Sequence, residues 1–121
     1  MAKKILAVDD SAIIRQVEES VLKGAGYEVT LAVDGKDGLT KLAGTTFNLI
    51  LTDLNMPNLD GVGFIKQVRA SSSHRMVPIV MITTESKDTK KQEGRAAGAT
   101  GWVVKPFTPD SLLSVVKKII G

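Results

Sequence analysis

The chain alternates between short apolar runs and longer amphipathic stretches. Three runs are apolar at every position, which is typical of strands that are buried on both faces of a parallel sheet. These runs are Ile5–Val8, Leu49–Leu51 and Pro78–Ile82. Two further strands are predicted. Tyr27–Val33 alternates between apolar and more polar residues, as an edge strand does, and Trp102–Val104 is a short last strand.

Helices are predicted between these strands from capping residues and helical periodicity. The first helix begins behind Ser11 and is stopped by Gly24 and Gly26. Its inner face is expected to consist of Ile14, Val17 and Val21. The second helix is short, begins behind Asp34 and ends near Gly44.

The remaining three helices differ strongly in polarity. The third ends near Ala70 and directs Phe64, Ile65 and Val68 inward. The fourth, from Ser86 to about Ala97, is unusually polar. The last begins at Thr108–Asp110, which supplies a cap, a proline in the first turn and an acidic residue. Its buried face is predicted to be Leu112, Leu113, Val116, Ile119 and Ile120.

Five strands therefore alternate with five helices, and no linker or internal repeat interrupts them. Such alternation predicts an α/β fold in which helices cover both faces of a parallel sheet. The length of 121 residues fits a single domain, residues 1–121, and leaves no room for an output domain.

Composition excludes several classes of protein. Hydrophobic residues make up 43% of the chain and charged residues 24%, as in ordinary globular domains. The absence of cysteine excludes a disulfide framework, thiolate metal sites and cysteine nucleophiles. A net charge of +3 is too small to indicate nucleic-acid binding. The longest apolar run, of about five residues, is too short for a membrane span or a signal peptide, so we expect a cytoplasmic protein.

Polar residues lie at the carboxyl ends of four of the predicted strands. They are Asp9 and Asp10, Asp53, Thr83 and Thr84, and Lys105. Because the carboxyl ends of parallel strands lie at one edge of a sheet, these residues are expected to converge although they are distant in sequence. Each of these residues, taken alone, is explained as a helix cap, a turn residue or a solvated charge. Polar residues at four strand ends together indicate a functional site.

The residue types at these strand ends indicate which ligands the site can bind. Clustered carboxylates need a counter-charge or a bound proton, since two unit charges about 4 Å apart interact by about 4 kcal/mol at an effective dielectric of 20. Oxygen ligands without histidine or cysteine suit Mg²⁺. Lysine supplies a point charge suited to phosphate, and threonine supplies a hydroxyl donor. The set favours a site at which an aspartyl phosphate forms.

Four motifs, in order along the chain, make it resemble response-regulator receiver domains, most of all the single-domain chemotaxis receivers. The motifs are Val-Asp-Asp-Ser at 8–11, Thr-Asp-Leu-Asn-Met-Pro-Asn-Leu-Asp-Gly at 52–61, Ile-Thr-Thr-Glu at 82–85 and Val-Val-Lys-Pro-Phe at 103–107. The resemblance spans essentially the whole chain. It implies a doubly wound, flavodoxin-like sheet with the strand order 2-1-3-4-5.

The resemblance also implies a role for each site residue. Asp53 is the expected phosphoacceptor, and Thr83 and Lys105 are expected to bind the phosphoryl group. The implied Mg²⁺ ligands are Asp9, acting mostly through water, Asp10, Asp53 and the backbone carbonyl of Asn55. The bond between Lys105 and Pro106 is expected to be cis.

Further residues are implicated in switching and partner binding. Trp102 occupies the aromatic switch position of the family, where Tyr or Phe is more common. Asn55 and Glu85 are similar to the pair that permits rapid loss of phosphate in chemotaxis receivers. A basic stripe on the fourth helix consists of Lys87, Lys91 and Arg95, with Lys90 beside it. Such a stripe is a solvated face or a docking surface for an acidic partner. His74, the only histidine, is expected in a surface loop.

The leading interpretation is a signalling switch rather than an enzyme. As a monomer, the receiver would take phosphate from a histidine kinase of a two-component system, assist only its own phosphorylation and dephosphorylation, and then engage a partner. For a chemotaxis receiver that partner is the flagellar motor switch protein, and a phosphatase is a further expected partner.

Two other interpretations compete with the switch. The chain is alternatively a phosphorelay carrier or a phosphate sink, and the Asn55 and Glu85 pair favours a switch or a sink over a relay carrier. A phosphatase of haloacid-dehalogenase type also uses an aspartyl nucleophile. It requires Asp-x-Asp after the first strand, where this chain has Asp9-Asp10-Ser11, and a cap domain or a longer chain.

Overall fold

The computed structural model describes residues 2–84 and 88–121, without the side chains of Asp88 and Lys90. The strands are β1 (Lys4–Val8), β2 (Glu28–Ala32), β3 (Leu49–Thr52), β4 (Ile79–Thr83) and β5 (Gly101–Val104). The helices are α1 (Ala12–Gly24), α2 (Gly35–Leu42), α3 (Gly61–Ala70), α4 (Asp88–Ala97) and α5 (Pro109–Ile120). All ten predicted elements are present. Ser86, the predicted start of the fourth helix, lies outside the described residues.

All five strands form one parallel sheet in the order β2-β1-β3-β4-β5, which confirms the doubly wound fold. The register aligns Val8 with Thr52 and Thr83 with Val104, so the carboxyl ends of the strands lie along one edge. The winding direction changes between β1 and β3, and ligands of open α/β sheets bind in the crevice at such a point. No helix in the described part of the chain is long and apolar enough to cross a membrane.

Two apolar layers cover the faces of the sheet. The layer under α2, α3 and α4 centres on Phe64 and Val68, and the layer under α1 and α5 centres on Leu22 and Leu112. Ala7 of β1 and Leu51 of β3 belong to the α1 and α5 layer. Because side chains alternate along a strand, residues two positions further along project to this same face. Asp9 and Asp53 occupy those positions.

The inner face of α1 differs from the prediction. Ile14 and Val21 are half-buried and Val17 is 39% exposed, whereas the buried residues of the helix are Glu18 and Leu22. The prediction of Val17 as an inward residue was wrong. Helical periodicity places charged side chains in solvent, which excludes Glu18 from the predicted inner face and leaves Val17 on it. A glutamate therefore occupies an inward position of this helix.

The expectation of a surface position for His74 was also wrong. His74 is only 8% exposed, and its Nε2 lies 3.1 Å from the carbonyl oxygen of Thr45. The turn that carries it is held by Arg69, whose guanidinium donates to the carbonyl oxygens of His74, Val77 and Gly98. These hydrogen bonds offset the cost of burying polar groups in the turn.

Candidate functional site

An ion-paired cluster occupies the edge of the sheet where β1, β3 and β5 end. The Nζ atom of Lys105 lies 2.6 Å from Oδ2 of Asp9 and 3.2 Å from Oδ2 of Asp53. Both carboxylates are buried, and the lysine side chain is only 10% exposed. The ammonium group therefore supplies the counter-charge that two adjacent buried carboxylates require. The peptide bond between Lys105 and Pro106 is cis, as expected.

Backbone N–H groups of the adjoining loops hold the other oxygen of each carboxylate. The amide of Ser11 donates to Oδ1 of Asp9 at 2.9 Å. The amides of Leu54 and Asn55 donate to Oδ1 of Asp53 at 2.7 and 3.4 Å. Each carboxylate thus has one oxygen on the backbone and the other on Lys105. This arrangement fixes the orientation of both groups.

Burial and the ion pairs shift the pKa values of Asp9 and Lys105. Burial raises the pKa of the Asp9 carboxyl above its ordinary value, and the hydrogen bond from Lys105 offsets this only in part. Burial by itself lowers the pKa of Lys105, but the hydrogen bond to Asp9 and the charges of both carboxylates outweigh it, so the pKa is raised. Lys105 is therefore held as a cation.

Asp10 completes a group of three carboxylates that can hold a metal ion. One oxygen from each of Asp9, Asp10 and Asp53 lies within 4.8 Å of the others. Asp10 is exposed while the other two are buried, so the group is open to solvent on the Asp10 side. A set of oxygen donors with access to water fits Mg²⁺, which retains several water ligands in proteins. Asn55 follows in the adjoining loop, and its role as a carbonyl ligand stays a prediction.

A fourth carboxyl group near the cluster was missed by the sequence analysis. Glu18 on α1 is 1% exposed, and its Oε1 has no hydrogen-bond partner among the described residues. Burial, together with the negative charge of Asp9, raises the pKa of Glu18 to about 8. It is therefore largely protonated at neutral pH. Its only signal in the sequence is its place between Ile14 and Leu22, each four residues away on the same helical face.

Thr83 and Trp102 lie on the same face of the sheet, on neighbouring strands. Thr83 is fully buried at the end of β4, and its backbone carbonyl accepts from the Lys105 amide at 2.8 Å. Met81, two residues earlier on β4, pairs in register with Trp102 of β5 and packs in the layer under α3 and α4. Since side chains alternate along a strand, Thr83 is directed toward the same layer.

Of the predicted partner surface, Lys91 and Arg95 are described. Arg95 is exposed on α4, whereas Lys91 is half-buried with its Nζ 5.4 Å from the centroid of the Trp102 ring. The indole Nε1 of Trp102 is buried and has no hydrogen-bond partner within residues 2–84 and 88–121. Glu85, Lys87 and the side chain of Lys90 lie outside the described residues.

One family of known proteins matches the chain in sequence. The family model described as the response regulator receiver domain matches residues 5–117. Protein PilG of Pseudomonas aeruginosa is 35% identical over 114 residues, which cover 94% of this chain and 84% of that protein. Chemotaxis protein CheY1 of Helicobacter pylori is 36% identical over 120 residues, which cover 98% of this chain and 97% of that protein.

Solved structures match the fold. Chemotaxis protein CheY4 of Vibrio cholerae superimposes with a TM-score of 0.95 at 48% identity, covering 98% of this chain and 99% of that one. The receiver domain of the sensor histidine kinase PA1611 of Pseudomonas aeruginosa superimposes with a TM-score of 0.92 at 30% identity, covering 100% and 99%. That structure has a magnesium ion coordinated in its active site cleft.

Proposed function

The chain belongs to the response regulator receiver domain family, and from that membership we propose that it is a phosphorylation-dependent binding switch of a two-component system. A histidine kinase donates a phosphoryl group to Asp53, and the phosphorylated form binds a partner. The observation that carries the proposal is the contact of Lys105 Nζ with the carboxylates of both Asp9 and Asp53. The protein acts as a monomeric receiver domain over residues 1–121, in the cytoplasm, and assists only its own phosphorylation and dephosphorylation.

The geometry of Asp53 supports transfer of a phosphoryl group to this residue. Its Oδ1 is held by the amides of Leu54 and Asn55, and its Oδ2 faces Lys105. A carboxylate oxygen attacks the phosphorus atom, and the bond from phosphorus to the donor nitrogen breaks as the new bond to oxygen forms. The Lys105 ammonium then pairs with the phosphoryl oxygens, and the Thr83 hydroxyl donates to one of them. Asp9, Asp10 and Asp53 would hold Mg²⁺, and the bound ion would supply positive charge that offsets the charge on the transferred group.

The metal site is expected to depend on Asp10. Asp10→Ala removes one of three clustered carboxylates, and we expect the affinity for Mg²⁺ to fall by at least about tenfold. A calorimetric titration with Mg²⁺ measures the change. Asp110→Ala is the matched control, because Asp110 is an exposed carboxylate in the first turn of α5. Equal Mg²⁺ affinity in Asp10→Ala and the wild type would rule out this site.

Trp102 is expected to report phosphorylation. It is the only tryptophan, so its emission reports one position. When Thr83 moves toward the phosphoryl group, it leaves space on the face that it shares with Trp102, and the ring moves into it. We expect beryllofluoride with Mg²⁺, which mimics the aspartyl phosphate, to change the emission and quencher access of Trp102. The response should be lost in Thr83→Ala and kept in Thr84→Ala, which alters the exposed neighbour. An undiminished response in Thr83→Ala refutes this coupling.

The finer proposal is that the switch acts in chemotaxis and binds the flagellar motor switch protein. Support comes from relatives named as chemotaxis proteins at 36% and 48% identity and from Asn55, which resembles the corresponding residue of receivers that lose phosphate rapidly. Binding to the purified motor switch protein with and without beryllofluoride tests it. Binding of only the activated form is expected. Equal binding of both forms, with phosphate passing back to a phosphotransfer protein, would favour the relay carrier or sink instead.

A further inference from the structure

A cleft lies at the edge of the sheet opposite to the ion-paired cluster. It has a volume of about 370 Å³ and is bounded by the C-terminal ends of α2 and α3 and by the loops that lead from them into β3 and β4. These loops lie at the amino ends of the strands, whereas Asp53 follows the carboxyl end of β3. The cleft is therefore separate from the site proposed for phosphorylation.

Hydrogen bonds hold both walls of the cleft in place. In the loop after α2, the Thr45 amide donates to the carbonyl oxygen of Leu42 at 3.3 Å. The turn after α3 is held by the guanidinium of Arg69, which donates to the carbonyl oxygens of His74 and Val77. The His74 ring joins the two walls, because its Nε2 lies 3.1 Å from the carbonyl oxygen of Thr45. The cleft is thus a preformed feature of the fold, as ligand sites usually are.

The lining of the cleft is partly apolar and otherwise polar without fixed charge. Leu39, Leu42 and Val68 supply the apolar part. The polar part consists of serine and threonine hydroxyls, the Gln67 amide and the His74 ring. None of the described residues that line the cleft is an aspartate, a glutamate, a lysine or an arginine. A charged ligand would lose hydration there without gaining a counter-charge, so the lining favours a neutral ligand with an apolar body.

The size of the cleft and the His74 ring indicate the class of ligand. Benzene occupies an engineered cavity of about 150 Å³, so a cleft of about 370 Å³ has room for two fused aromatic rings. A carbonyl oxygen only accepts hydrogen bonds, so Nε2 of His74 carries the hydrogen that it shares with Thr45. In a neutral imidazole the other nitrogen, Nδ1, is then an acceptor. A ligand that binds to Nδ1 therefore needs an N–H or O–H donor.

We propose that this cleft is a binding site for a small, neutral aromatic molecule that has two fused rings and an N–H or O–H donor. The rings pack against Leu39, Leu42 and Val68, and the donor forms a hydrogen bond with Nδ1 of His74. The site lies apart from Asp53 and does not rest on the proposed function.

An NMR titration of the whole chain with indole tests the site, because indole has two fused rings and a single N–H donor. At about pH 8, where histidine is ordinarily neutral, we expect saturable shifts at Thr45, Val68 and the His74 ring. N-methylindole, which has no donor, should bind about fivefold more weakly because one hydrogen bond is lost. Indole carboxylate, which is charged, should not bind at the same concentrations.

Three variants locate the binding, and circular dichroism verifies that each is folded. Ser71→Leu should abolish the shifts, because Ser71 lines the cleft and leucine fills part of it. Ser72→Leu is the matched control, since Ser72 is an exposed neighbour in the same turn and is not part of the lining. His74→Gln keeps an N–H donor for Thr45 but removes the Nδ1 acceptor, so it should bind indole and N-methylindole equally.

Several results would overturn the site. They are the absence of saturable shifts in the cleft with indole, undiminished binding by folded Ser71→Leu, and equal binding of indole and N-methylindole by the wild type. A preference for indole that persists in His74→Gln would overturn the role of His74. Because the titration uses the unphosphorylated chain, none of these results bears on the proposed function, which labelling by acetyl phosphate tests separately.

Discussion

Asp53→Asn is expected to abolish phosphorylation by acetyl phosphate in the presence of Mg²⁺. Asp53 alone follows the central strand β3 while also contacting Lys105, at 3.2 Å. The amide of asparagine has no nucleophilic carboxylate oxygen, so neither the attack on phosphorus nor the ion pair survives the change. Incorporation of label from radioactive acetyl phosphate measures the effect.

The control for this variant is Asp110→Asn, which alters an exposed carboxylate far from the cluster and should label like the wild type. Circular dichroism verifies that both variants are folded. Stoichiometric labelling of folded Asp53→Asn would assign the phosphoacceptor to another residue. It would also contradict the proposed pairing of Lys105 with a phosphoryl group on Asp53.

Glu18→Gln is expected to stabilise the protein at alkaline pH and to flatten its pH dependence. The pKa of Glu18 is about 8 in the folded protein against an ordinary value of 4.5, because the side chain is buried near Asp9. Below the ordinary pKa, Glu18 is protonated in both the folded and the unfolded protein and does not change the free energy of unfolding. As the pH rises between the two values, the unfolded chain ionises while the folded chain does not. Stability is therefore lost progressively, and the loss is complete above the folded pKa.

The size of this effect follows from the shift. One pKa unit corresponds to about 1.4 kcal/mol, so the full loss amounts to about 3–5 kcal/mol. Glutamine has nearly the same shape as glutamate but does not ionise, so Glu18→Gln should not lose stability at alkaline pH in this way. Urea unfolding at about pH 5 and about pH 9 compares the wild type with Glu18→Gln and with Glu19→Gln, an adjacent residue paired with Lys23 near the surface. Parallel pH profiles for all three proteins would contradict the buried, protonated state of Glu18.

The convergence of the cluster could be predicted from sequence because it depends on topology alone. Asp9 and Lys105 directly follow apolar runs, Asp53 follows the run Leu49–Leu51 after one threonine, and a parallel sheet brings the ends of such runs to one edge. The ion pairs at 2.6 and 3.2 Å then follow from opposite charges meeting in a buried place. No knowledge of the helices is needed for that step.

The residues that sequence analysis misplaced depend instead on tertiary contacts. Glu18 is buried because α1 packs on the layer around Leu22. Helical periodicity predicts that a charged side chain lies in solvent, but a bound proton makes the Glu18 side chain neutral. His74 is buried because two loops distant in sequence meet, which gives its ring the Thr45 carbonyl as a partner. Lys91 was assigned to a charged stripe, and its contact with Trp102 arises from the placement of α4 beside β5. The contacts of His74 and Lys91 have no periodic signature along the chain.

Switching and partner binding must favour the same conformation. The phosphoryl group shifts the population only through contacts that differ between the two states, for which Thr83 and Lys105 are the candidates. By reciprocity, a partner that prefers the activated form strengthens the binding of beryllofluoride by the same factor that beryllofluoride strengthens partner binding. The pairing of β4 with β5, through Thr83 and Val104, links the end of β4 to the strand that carries Trp102.

We propose that the phosphorylation state of Asp53 controls the conformation of the face formed by α4 and β5. NMR spectra of the whole chain with Mg²⁺, recorded before and after addition of beryllofluoride, test this most directly. We expect shifts at Asp53, Thr83 and Lys105, and also at the Trp102 indole N–H and along α4. Shifts confined to the loops at the carboxyl edge of the sheet, with Trp102 and α4 unchanged, would contradict the claim.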